Sequence, residues 1–249
     1  MKAFVVFGSD SDKSTYEPLC EKLREAGHMV EYETISAHRN PDRLEVALKE
    51  KDYQVVIAGA GLSAHLPGVV ASKIENPVIG IPVNAHFGGF DALMSIVQMP
   101  FGVPVLSTPT NDPYAGISFI TKMEKLERED FNKITLVIDN VDLNYEFVNL
   151  ELNRTKEYLA AEGIEFEISS EPKGGINIVF VTKEKMFFRE TSGAVINVPI
   201  FDNAKKKTVS AAMDLFDFIN KAGGLWVGVT NSRNAIKSVL KFRGALYGK

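Results

Sequence analysis

Lys2-Ala3-Phe4-Val5-Val6-Phe7-Gly8-Ser9-Asp10-Ser11-Asp12 is the stretch whose reading decides the fold. A short, nearly unbroken apolar run meets a glycine and then a cluster of small polar residues. An apolar run without alternation predicts a strand buried on both faces. The amphipathic stretch Lys13–Ala26 that follows predicts a helix. The same cycle recurs outward from it. Strands are predicted at Met29–Ile35, Gln54–Ala58, Pro77–Pro82 and Val103–Ser107, and helices at Pro41–Lys51, Ala64–Lys73, Phe90–Gln98 and Pro113–Glu127. Gly27, Gly59, Gly61, Gly88 and Gly89 punctuate the transitions. Short apolar strands alternating with helices predict an α/β fold, a parallel sheet covered on both faces and wound by right-handed crossovers.

The charged stretch Lys122–Asp130 ends this unit, and no Gly/Ser-rich tether follows it. A tight junction is expected near residue 130. Ile134–Ile138 then stands where Phe4–Phe7 stood, and a helical pattern over Tyr145–Ala161 ends at Gly163 as the first ends at Gly27. Ile164–Ser169, Ile176–Thr182, Gly193–Pro199 and Gly224–Asn231 continue the order, with Pro199 in the Val-Ile-x-[Ile/Val]-Pro frame of Pro82. No counterpart of the helix at Pro41–Lys51 is visible. The order predicts a tandem repeat: one unit over 1–130 and a diverged, shortened copy over 131–249.

Composition narrows the function. The chain has 249 residues, 45% of them hydrophobic and 24% charged, which supports a sizeable core and excludes a disordered or fibrous chain. No apolar run has the length of a membrane span. The first residues lack the apolar core and cleavage site of a secretory leader, so they read as a strand. The single cysteine, Cys20, excludes an internal disulfide and fits a reducing cytoplasm. A net charge of −4 argues against nucleic acid. Residues 1–130 carry 12 basic and 18 acidic side chains, and residues 131–249 carry 16 and 14. His28, His38, His65 and His86 all lie in the first half. Side chains that titrate near neutral pH are therefore confined to one half.

Three loops follow predicted strands, where an open parallel sheet gathers its ligands. Gly8–Asp12 opens a helix. Its backbone N–H groups and serine hydroxyls suit an anion, while Ser11 or Asp12 acting as an ordinary helix cap is the alternative. It is neither a dinucleotide fingerprint nor an NTP loop. Ser36-Ala37-His38-Arg39-Asn40-Pro41 offers a bidentate phosphate ligand in Arg39 and an acid/base in His38. It also reads as a surface pair ahead of a Pro-initiated helix. Ala58–Gly68 is rich in small residues that let backbone approach a planar ligand, with His65 at the helix start. His38 and His65 lack the ligand spacing of a metal site. His86 reads as a loop histidine, Cys20 as core, and Lys205–Lys207 as a solvated helix start.

Taken together, four ordered motifs resemble the PurE family of purine biosynthesis. They are Gly8-Ser9-x-Ser11-Asp12, Ser36-Ala37-His38-Arg39, Ala60-Gly61-x-x-Ala64-His65-Leu66-Pro67-Gly68 and Ser95-Ile-Val-Gln-Met-Pro-x-Gly-Val-Pro-Val105. The resemblance covers residues 2–120. It implies a flavodoxin-like, three-layer αβα domain. The implied substrate is a small molecule, 5-aminoimidazole ribonucleotide carrying a carboxyl group on its exocyclic nitrogen. The mutase moves that carboxyl to ring carbon C4, with no metal or organic cofactor. Carried over residue by residue, Ser9, Ser11, Ser36 and Arg39 hold the phosphate and Asp12 holds the ribose hydroxyls. Ala60 and Gly61, with His65 and Leu66, enclose the imidazole and the migrating carboxyl, Ala37 also binds substrate, and of the two catalytic histidines, His38 and His65, His38 is the general acid/base. Arg39 and Ala64-His65-Leu66-Pro67 resemble the mutase pattern. The family's direct carboxylase, which uses the plain nucleotide and CO2, is the alternative, and a non-enzymatic nucleotide-binding regulator is a third reading.

This chain departs from the family at Leu62-Ser63, where smaller residues are usual, and at Thr108–Tyr114. The second half departs throughout. Asp139-Asn140-Val141-Asp142 replaces the first loop, Ser169-Ser170-Glu171-Pro172 replaces the second, and there is no histidine. It is expected to be non-catalytic. Because the family forms octamers, a fused inactive copy implies a homo-oligomer in which four chains mimic eight domains.

Overall fold

The computed structural model describes residues 1–183 and 191–248. The first unit runs β1 (Lys2–Phe7), α1 (Lys13–Glu25), β2 (Met29–Thr34), α2 (Pro41–Glu50), β3 (Val55–Ala60), α3 (Leu66–Lys73), β4 (Val78–Pro82), α4 (Phe90–Val97), β5 (Leu106–Ser107) and α5 (Tyr114–Glu124). The second runs β6 (Lys133–Val137), α6 (Glu146–Ala161), β7 (Glu165–Ser169), β8 (Ile176–Val181), β9 (Ala194–Pro199), α7 (Val209–Ala222), β10 (Leu225–Trp226) and α8 (Ser232–Tyr247). β5 is shorter than its apolar run predicts because Pro104 has no N–H for the ladder. β3 runs two residues further than predicted, to Ala60, because it pairs with β4 as far as Pro82. Residues 170–175 join β7 to β8 without a helix.

The ten strands of the described residues form one sheet in the order β2-β1-β3-β4-β5-β10-β9-β8-β6-β7. Every neighbouring pair is parallel except β5 and β10, which meet antiparallel at Ser107 and Trp226. Each half, read from its own first strand, has the order 2-1-3-4-5 of doubly wound flavodoxin-like sheets. The halves share local detail. Asn111 N–H donates to Pro82 C=O at 2.8 Å with φ at 55°, and Thr230 N–H donates to Pro199 C=O at 2.8 Å with φ at 53°. Lys122 on α5 reaches the Thr191 carbonyl just before β9, and Lys241 on α8 reaches the Ile74 carbonyl near the start of β4. Burial pushes both ammonium groups below the ordinary lysine value.

Strand alternation divides the core. Val5 and Phe7 face one side, where α1, α5, α6 and α8 build a single apolar layer that runs under both halves. Phe4 and Val6 face the other side, against α2, α3 and part of α4. Leu93 and Val97 of α4 turn instead towards α7 and the fully buried Trp226. α4 therefore belongs to both halves. The turn between them is compact as well: Glu127 and Asp130 form a reciprocal capping box, and Phe131 is fully buried.

Candidate active site

The C-terminal ends of β1, β2 and β3 open into one cavity of about 260 Å³. Its first wall is the β1–α1 loop. Gly8 N–H is tied to Gly59 C=O at 3.1 Å, which fixes how the loop leaves the sheet. Ser9 is extended and its Oγ accepts from Ser11 N–H at 3.2 Å and from Ser11 Oγ at 2.8 Å. The cap of the short turn over Asp10–Asp12 is thus Ser9, one of the three candidate phosphate serines, while Asp12 stands at the N-cap position of α1 without a side-chain capping bond. An extended residue preceding a turn can aim its hydroxyl at the freed N–H groups, and a residue inside the turn cannot. Asp12 is buried and accepts a hydrogen bond from Ser11 Oγ at 3.2 Å. Burial raises its pKa above the ordinary carboxylate range, and the bond from Ser11 offsets part of that rise.

The second wall is the β2–α2 loop. Ile35 N–H continues the ladder onto Phe7 C=O, and a turn then forms in which Asn40 N–H donates to Ser36 C=O and Arg39 N–H to Ser36 Oγ. Pro41 starts α2, with its φ already set for a helix. This turn presents Ser36, Ala37, His38 and Arg39 to the cavity. Among the described residues Arg39 makes no ion pair, so its guanidinium is available to an anion.

The third wall is the β3–α3 loop, with Ala60, Gly61, Leu62, His65 and Leu66. A Cβ on Gly61 would stand 2.6 Å from Ala85 Cβ, so only glycine fits there. Leu62 and Ser63 adopt φ values of 44° and 56°. For residues with a Cβ, such left-handed conformations cost about 1–3 kcal/mol each. His65 then sits at the N-cap of α3, with Pro67 in the first turn. His38 Nε2 and His65 Nδ1 are 3.0 Å apart, their rings edge to face with centroids 5.1 Å apart. In a neutral pair one ring donates and the other accepts. Both rings are exposed in the single chain.

All eleven residues singled out from sequence therefore line one cavity. Gly8, Leu62 and Ala85 line it too, without having been singled out. Gly8 lies inside a motif, Leu62 stands out as a departure, and Ala85 lies in the Asn84–Gly89 segment that ends the fourth strand, where only the fold brings it to Gly61. The other two histidines lie elsewhere. His86 is exposed and its ring lies beside Phe87. His28 is buried beside Thr121 and Glu124, and burial lowers its pKa. Cys20 is core, its thiol pushed up to about 11 by burial.

Comparison with known proteins brings in the same half of the chain. The family model described as AIR carboxylase matches residues 2–135. The N5-carboxyaminoimidazole ribonucleotide mutase of Thermotoga maritima is 47% identical over 112 residues, covering 43% of this chain and 66% of that one. The mutase of Haemophilus influenzae is 38% identical over 156 residues, covering 55% of this chain and 93% of that one. The phosphoribosylaminoimidazole carboxylase of Saccharomyces cerevisiae is 42% identical over 112 residues, covering 43% of this chain and 20% of that one. The chain spans a little under two thirds of the length of some of these relatives, 64% for the mutase of Methanocaldococcus jannaschii.

Proposed function

The chain belongs to the AIR carboxylase family, and from that premise we propose that it is an N5-carboxyaminoimidazole ribonucleotide mutase acting in purine biosynthesis. The observation that carries the reading is the His38–His65 contact in a cavity that also gathers the hydroxyls of Ser9, Ser11 and Ser36 with Asp12 and Arg39. Ser9, Ser11, Ser36 and Arg39 supply donors for the phosphate, Arg39 in a planar fork that fits two phosphate oxygens. Asp12 accepts from the ribose hydroxyls. Ala60 and Gly61, with Ala37 and Leu66 beside them, form an apolar wall against the flat imidazole.

His38 is the acid and base. It donates a proton to the exocyclic nitrogen as the N–CO2 bond breaks, leaving free CO2 and the neutral aminoimidazole. Ring carbon C4 attacks the CO2, and His38 takes the C4 proton. The proton given in the first step is regained in the second, so the residue ends as it began. His65, 3.0 Å away, orients the ring and its tautomer. CO2 must stay in place between the steps, which a small pocket achieves by high effective concentration. The mutase names of the bacterial relatives support this reading, and the carboxylase name of the yeast relative keeps direct carboxylation as the second one.

An assay offering either the N-carboxylated nucleotide or the plain nucleotide with bicarbonate separates them. Turnover of the first at low bicarbonate is expected, and turnover of the second alone would make the enzyme a carboxylase. Substituting His38→Asn should cut kcat by about 10²–10⁴-fold, the share general acid/base catalysis usually carries, with the thermal melt unchanged. An H38N protein with native kcat would remove His38 from the role.

Residues 1–130 form the catalytic unit in this reading, and residues 131–249 a degenerate, structural copy. The matching strand order, the paired left-handed residues Asn111 and Thr230, and the reciprocal Lys122 and Lys241 contacts support common descent. The second half contains no histidine, so it lacks the acid and base of this reading. Asp142 is buried there and its carboxylate is taken up by Thr182 and Lys183 of the same half. We infer a homo-oligomer, four chains standing for eight domains, in which a neighbouring chain covers the exposed histidines. The buried thiol of Cys20 is compatible with a cytoplasmic location. Among the described residues no helix is long and apolar enough to cross a membrane.

A further inference from the structure

Ser63 N–H donates to Asp91 Oδ2 at 2.6 Å, a bond between the β3–α3 loop and the first turn of α4. Ser63 is the second of two consecutive non-glycine residues in the left-handed region. The residue before it, Leu62, lines the cavity, and His65, two residues on, makes the contact with His38. Asp91 itself is not among the cavity-lining residues. Its other oxygen, Oδ1, is shut away from solvent with no hydrogen-bond partner among the described residues. A carboxylate half in that condition is unfavourable in isolation, as is the bend it holds. Each persists because the loop and the helix constrain one another. α4 is a firm base for such a clamp, since Ala92 and Ile96 are packed into one half and Leu93 and Val97 into the other.

We propose that Asp91 is a positioning residue for this site: its carboxylate holds the Leu62–Ser63 bend and thereby sets the His38–His65 contact. Without the clamp the bend relaxes towards ordinary backbone angles. His65 then shifts relative to His38 while the phosphate side of the cavity, built from Ser9, Ser36 and Arg39, stays in place. The kinetic consequence rests on the proposed mutase reaction, but the geometric one does not.

The test is therefore read two ways on the full chain. In D91A the ring 15N signals of His38 and His65 should lose the signature of a mutual hydrogen bond, with cooperative melting kept. In the same protein kcat should fall about 10- to 100-fold, the usual cost of removing a group that orients a catalytic side chain, while KM changes less than about threefold. D91N retains an oxygen facing Ser63 N–H and should restore most of both. D91S, too short to reach Ser63 but still polar at the helix start, replaces D91A if that variant does not fold. In a chain carrying L62G and S63G the bend costs little, so adding D91A should disturb the histidine signals far less than in the native chain. Unchanged ring signals in D91A or D91S, or equal disturbance in both backgrounds, would overturn the proposal. Altered ring signals in a protein whose native form turns over neither nucleotide would uphold it while removing the mutase reading.

Discussion

Asp12 shows how a side chain suited to binding stands at odds with stability. It is buried at the base of the β1–α1 loop, and burial raises its pKa. A raised folded-state value means that its contribution to stability is complete below the ordinary carboxylate pKa of about 3.9 and is lost as pH rises through the folded value. At neutral pH the buried charge therefore works against the fold. D12N should melt at the same temperature as the native chain or higher at pH 7. That difference should vanish below about pH 4, where both side chains are neutral. If Asp12 holds ribose hydroxyls, D12N should also raise KM about tenfold, the value of one charge-assisted hydrogen bond. Thermal melts at the two pH values and a substrate titration check both parts. A melt lowered at pH 7 would show that Asp12 supports the fold in its charged form.

At the scale of elements, the site depends on how closely β1, β3 and β4 pack. Gly59 on β3 lies under the Phe7 ring, and a Cβ there would fall 2.1 Å from ring carbon Cε1. Phe7 is fully buried and has no room to turn aside. G59A should therefore destabilise the chain by about 1–3 kcal/mol, the typical cost of overpacking a tight core. It should also shift the Gly8 N–H, which is bonded to Gly59 C=O, and so weaken phosphate binding. Denaturant titration of G59A checks the first effect, and a native midpoint would show that the ring yields. The glycine was visible in sequence as a break before the loop. The reason for it was not, because Phe7 is far away along the chain and meets it only across the sheet.

For the whole molecule, the junction is the lesson. Ser107 and Trp226 pair antiparallel, so two parallel five-stranded halves become one sheet with a shared apolar layer beneath. A chain built this way already contains, within itself, the kind of self-complementary contact that joins two copies in a twofold dimer. If the second half stands in for an alternate subunit, the assembly should contain four chains. Mass measurement in solution should then give about four times the chain mass across a range of concentrations. A stable monomer at all of them would sink the idea. It would also leave the exposed His38 and His65 without the cover that trapping CO2 requires.

Much of this was legible in the residue order. Unbroken apolar runs ending in glycine and small polar residues determined the β/α alternation, since strand and helix differ in hydrophobic period. Motif composition together with the family resemblance singled out Ser9, Asp12, His38, Arg39 and His65, and all five line one cavity. Those signals are local, and so a sequence carries them. Tertiary structure decided the rest: that β5 meets β10 to fuse the halves, that Ser9 and not Ser11 is the turn's cap, that Ala85 closes against Gly61, and that Asp91 reaches Ser63. Each of these depends on groups distant in the chain or on a backbone angle set by packing. No pattern of neighbouring residues encodes them, because the forces that fix them exist only once the sheet has formed.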